Sequence, residues 1–134
     1  MNMRAPLVLL AACAQTLQAA PPAPLDRWKA LAGEWVAAQD GPMAKKGDLV
    51  ARYAVTAGGT AVVETVFPGT QHEMVTVYHA DGPDIVLQHF CMEGNQPRMR
   101  AKTPAAARVE FAFDGGLNID LMAGGTGSDG TFCA

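Results

Sequence analysis

The chain is poor in what a nucleophilic active site needs. Its 134 residues hold a single serine, Ser128, and no Gly-x-Ser-x-Gly, which excludes the serine-hydrolase elbow. His72 and Glu73 are neighbours in a strand-like run, and neighbouring strand side chains point to opposite faces, so they form no acid–base dyad. Gly58-Gly59 has no phosphate-loop context. Basic runs are also missing. Lys45-Lys46 is the longest, and a net charge of −3 gives no electrostatic footprint for nucleic acid or an anionic membrane surface. No apolar run reaches the ~20 residues of a spanning helix. The expectation is a protein that is not an enzyme and has no nucleic-acid partner.

What is present is ordinary globular composition, 49% hydrophobic and 17% charged, enough for one domain. Residues 1–20 read as a signal peptide. Arg4 supplies the positive start, residues 7–12 a short apolar stretch, and Ala19 or Ala20 the cut. Leu10-Ala11-Ala12-Cys13 resembles a bacterial lipobox, so Cys13 is a candidate for lipidation. The protein is therefore expected to be exported, periplasmic or extracellular, and to meet a membrane only through a lipid on Cys13. Cys91 and Cys133 remain after either cut. One lies in a strand-like run and the other in a glycine-rich tail, so sequence gives no proximity, and two unpaired thiols are the simpler expectation.

Residues 21–24 form a Pro/Ala linker. Leu25, Trp28 and Leu31 then recur at spacing three, which predicts a short amphipathic helix ended by Gly33. From there the pattern has period two. Strands are predicted at 34–38, 49–56, 60–67, 72–79, 84–92, 98–102 and 108–113. Between them lie Ala57-Gly58-Gly59, Pro68-Gly69, Asp81-Gly82-Pro83 and Gly94-Asn95-Gln96-Pro97, residue types that favour turns. Glu64 is placed on the wet face of its strand. Run 84–92 is apolar on both faces, as expected of a covered strand. Residues 121–134 are glycine-rich and expected to be disordered.

The fold class is thus mainly β, an antiparallel up-and-down meander with one short N-terminal helix. The helix before Leu31-Ala32-Gly33-Glu34-Trp35, with a Gly-x-Trp opening and a hairpin meander after it, resembles the calycin-like barrels: lipocalins, fatty-acid-binding proteins and nitrobindin-type proteins. The wording of residues 52–70, 72–79 and 94–99 resembles a bacterial family of exported proteins of unknown function. The resemblance spans residues 25–120 and implies a calycin-like β domain, not an activity. Relatives continue beyond an element matched by residues 113–120. Here the glycine-rich tail stands instead, so the barrel is expected to be incomplete or open, as a truncated or frame-shifted reading frame would leave it.

A barrel of that kind implies a small apolar or amphipathic ligand. The candidate wall residues are Trp35, Tyr53, Val75, Val77, Leu87, His89 and Phe111. The alternative is a structural or interaction protein whose faces are filled by side chains or a partner. A less favoured reading is haem or metal binding through His79, His89 and Cys91; nitrobindin-type barrels bind haem through a histidine, but no residue here matches that position. No cofactor is therefore expected. Arg98 and Arg100 share a face, and their apolar neighbours Met99 and Ala101 take the other, so patterning puts both arginines in water.

Overall fold

Alternating Val, Tyr and Thr, cut by glycine-bearing turns, fold as a hairpin series. The computed structural model describes residues 23–102 and 108–119. Helix α1 is Asp26–Lys29, and the strands are β1 Gly33–Val36, β2 Leu49–Thr56, β3 Ala61–Val66, β4 Met74–Asp81, β5 Asp84–Phe90, β6 Gln96–Ala101 and β7 Ala112–Leu117. They make one seven-stranded antiparallel sheet in the order β1-β2-β3-β4-β5-β6-β7. The sheet is not closed: β1 and β7 are its two edges. Among the described residues no helix is long and apolar enough to cross a membrane. The expected leader (residues 1–20), with Cys13, and the 121–134 tail lie outside the described residues.

The two faces are read from the register. One cross-strand row runs Val55, Val62, Tyr78, Leu87, Met99, Phe113. The next runs Thr56, Ala61, His79, Val86, Arg100, Ala112, and alternation puts it on the opposite side. The first side is the inner face. Val62 and Ile85, both 0% exposed, pack there with Leu25 and Trp28, and Leu31, Tyr53, Tyr78, Val109 and Phe111 close around them. The helix therefore covers one end of the inner face, with Trp28 as its buried residue.

Several boundaries differ from the sequence reading, each for a local reason. The helix is one turn only, capped at Ala30, and Gly33 instead opens β1 at φ 133°. Residues 72 and 73 stay in the preceding turn, because the His72 amide donates to Thr70 Oγ1 and the Glu73 amide to the Thr70 carbonyl; β4 starts at Met74. Strand β6 begins inside the expected turn and carries buried Pro97 beside an irregular step of the β6–β7 register. The last strand moves from 108–113 to Ala112–Leu117, so Asp114-Gly115-Gly116 lies within it. Gly116 is needed there, since a Cβ would sit 2.6 Å from the Gln96 carbonyl and 2.9 Å from Pro97 Cα. Cys91, expected as a free thiol, is disulfide-bonded.

Candidate functional site

The short Ala57–Gly59 connection pairs Thr56 with Ala61, and that register puts Tyr53 opposite Glu64. The next two hairpins place Thr76 opposite Glu64 and His89 opposite Thr76. Four polar side chains thus stand in one row on the inner face, with Tyr78 two residues along from Thr76 on the same side. Glu64 is not on a wet outer face, as its strand pattern suggested. It shares a side with fully buried Val62 and is itself half-buried.

The row is tightly hydrogen-bonded. Tyr53 donates its hydroxyl to Glu64 Oε1 at 2.5 Å, and Tyr78 donates to Oε2 at 2.6 Å. Thr76 Oγ1 and His89 Nδ1 are 2.8 Å apart, with the direction of donation set by the imidazole tautomer. Burial, and then the Glu64 carboxylate, push both tyrosine hydroxyls well above their ordinary pKa, so they stay protonated donors at neutral pH. Burial holds His89 below its ordinary 6.5, with the Glu64 charge pulling the other way. The imidazole is therefore mainly neutral at pH 7. None of the ion pairs among the described residues involves Glu64.

Five of the seven wall residues expected from sequence share this face. Trp35 is 48% exposed on β1, edge-on to Tyr53 with ring centroids 6.4 Å apart, and its indole N–H donates to the Leu31 carbonyl at 2.8 Å. Leu87 is buried between Tyr78 and Met99 in the register, and Phe111 lies 6.1 Å from Trp28 and 6.5 Å from Tyr78, ring to ring. Tyr53 and His89 belong to the polar row itself. Val75 and Val77 are brought to the other side: their register partners are Thr65 and Phe90, and Val63 and Gln88. Strand parity forbids those two valines from lining the same pocket as Leu87 and His89.

The metal candidates do not converge. His79 pairs with Val86 on the outer face, whereas His89 is on the inner one. Cys91 lies past the end of β5 and is disulfide-bonded. Among the described residues no group of three His, Cys, Asp or Glu side chains is placed to hold a metal ion.

A second polar cluster occupies the outer face, where the sequence put both arginines. Arg100 reaches Asp81 at 2.8 Å and Asp84 and Asp114 at 3.2 Å each, and these hydrogen bonds raise its already high pKa. Arg98 donates to the Asp114 carbonyl and also pairs with its carboxylate. A depression of about 510 Å³ borders Arg100, Phe111, Phe113 and Asp114. Its lining also holds Lys102 and Glu110, the latter paired with Arg108.

Sequence reasoning found Tyr53 and His89 and missed Glu64, Thr76 and Tyr78. Both faces of β3 mix apolar and polar types, so periodicity alone left its parity open. The loop length held the signal, because the four residues 57–60 between Thr56 and its partner Ala61 fix which residue faces Tyr53. Compared with protein-family models, curated proteins and solved structures, the chain matches none.

Proposed function

We propose that the inner face of this sheet binds a small amphipathic molecule, its polar group at Glu64 and His89 and its apolar part against the exposed Trp35. One observation carries the reading: a half-buried carboxylate, held by two tyrosine hydroxyls, stands beside Thr76 and His89 on the inner face, near the exposed Trp35 of β1. Ligand sites are mostly aromatic and aliphatic with a few convergent polar groups, and this face has that make-up. The up-and-down strand order after a short helix agrees with a calycin-like sheet, left open, as the frame. The reading includes export of the protein, free or lipid-anchored at Cys13, since the leader-like residues 1–20 point that way.

A second reading has its own support. Leu25, Trp28 and Phe111 already fill one end of the inner face, as a structural protein that packs only its own side chains would have it. Titration with the neutral fluorescent probe N-phenyl-1-naphthylamine separates the two. Binding is expected, weakened several-fold by Trp35→Ala and unchanged by Phe90→Ala, whose side chain is equally exposed on the outer face. No binding, or sensitivity to Phe90 alone, favours the structural reading.

A further inference from the structure

We infer that the polar group taken up by the inner face is a cation, such as an alkylammonium or guanidinium head; this rests on the binding reading above. Three carboxylates among the described residues are not exposed: Glu64, Asp84 and Asp114. Asp84 and Asp114 both pair with Arg100. Among the described residues Glu64 has no cation partner.

The tyrosines do not make up that deficit. They are neutral donors, and each takes one position on one carboxylate oxygen. A carboxylate offers about four acceptor positions, so about two remain for a ligand donor. His89 is kept mainly neutral by burial and supplies no charge either. The tyrosine hydroxyls fix the carboxylate in place before any ligand arrives, which lowers the ordering cost of binding. Tyr53, with Trp35 edge-on to it, presents an aromatic ring beside Glu64, and aromatic faces attract cations. An anionic head would instead place a second negative charge beside Glu64 in a partly dry site, which is repulsive. The exposed Trp35 ring offers a short hydrocarbon tail an apolar surface, so a cationic amphiphile matches both parts of the site.

Three probes with one tail test this: octylammonium, 1-octanol and octanoate, titrated at pH 7 and followed by tryptophan fluorescence. Octylammonium is expected to bind about tenfold tighter than octanol, the size of one charge-assisted hydrogen bond, with octanoate weakest. In Glu64→Gln the gap between octylammonium and octanol is expected to close to within about twofold, with octanol binding retained. A folded Glu64→Gln that still prefers octylammonium overturns the assignment. If that variant does not fold, the wild-type ranking decides. Octanol or octanoate binding as tightly as octylammonium overturns the cation and leaves inner-face binding standing. No binding of any probe overturns both.

Discussion

The sheet carries one polar cluster on each face, and the two follow opposite rules. On the outer face Arg100 touches three carboxylates and Arg98 shares one of them, so every carboxylate of the cluster has a cation in contact. This cluster joins the Asp81–Asp84 turn to β7 across β6. On the inner face a single carboxylate is held by two tyrosines with no counter-charge among the described residues, next to a mainly neutral histidine and a buried threonine. A matched network fastens strands. An unmatched one, oriented by neutral donors, is left with attraction to spare for a molecule that is not part of the chain.

The largest effect expected concerns where the inner face is filled and where it is open. Trp28, 6% exposed and packed on Tyr78 and Phe111, should cost about 3 kcal/mol or more when replaced by alanine. Trp35→Ala at the open end should cost about 1 kcal/mol or less. Urea denaturation of the two variants checks this, and equal losses would mean that the open end is packed as well. Next come the tyrosines. Tyr78→Phe and Tyr53→Phe each remove one donor from Glu64, with an expected loss of about 1–2 kcal/mol, larger for the more buried Tyr78.

On the outer face Arg100→Met should lower stability by less than Tyr78→Phe, because its partners keep access to water. Raising the salt concentration should shrink the difference between Arg100→Met and the wild type while leaving the Tyr78→Phe difference largely intact. Salt acting equally on both would erase the contrast between the two clusters. The smallest effect is on pH dependence. Folded His89 takes up its proton at a lower pH than the 6.5 of the free side chain, so below 6.5 the unfolded chain binds more protons and stability falls with falling pH. His89→Gln should flatten that part of the curve, measured as the urea midpoint between pH 7 and pH 5.

Much of the frame was legible in the sequence, and most of the site was not. Strand β2 shows its exact limits, because its alternation is clean and a glycine turn follows it. β7 was misplaced because Gly115 and Gly116 read as a terminator, whereas a close backbone approach at Pro97 requires glycine inside that strand. Tyr53 and His89 were visible as candidate wall residues, because each shares a strand face with apolar neighbours. Glu64 was visible too but assigned to solvent, since a charged residue in a half-apolar strand most often faces water. Only pairing through four successive strands reveals that Tyr53, Glu64, Thr76 and His89 form one row. Val75 and Val77 fell on the wrong side for the same reason: composition marked them as wall material, and register decides the wall.

Backbone amide shifts on titration with octylammonium test the asymmetry of the two faces most directly. The account predicts perturbations concentrated at Tyr53, Glu64, Thr76, Tyr78 and His89, saturating with added ligand, with Arg98, Arg100 and Asp114 unmoved. Saturating shifts centred on the Arg100 cluster, or none at the Glu64 row, would contradict it.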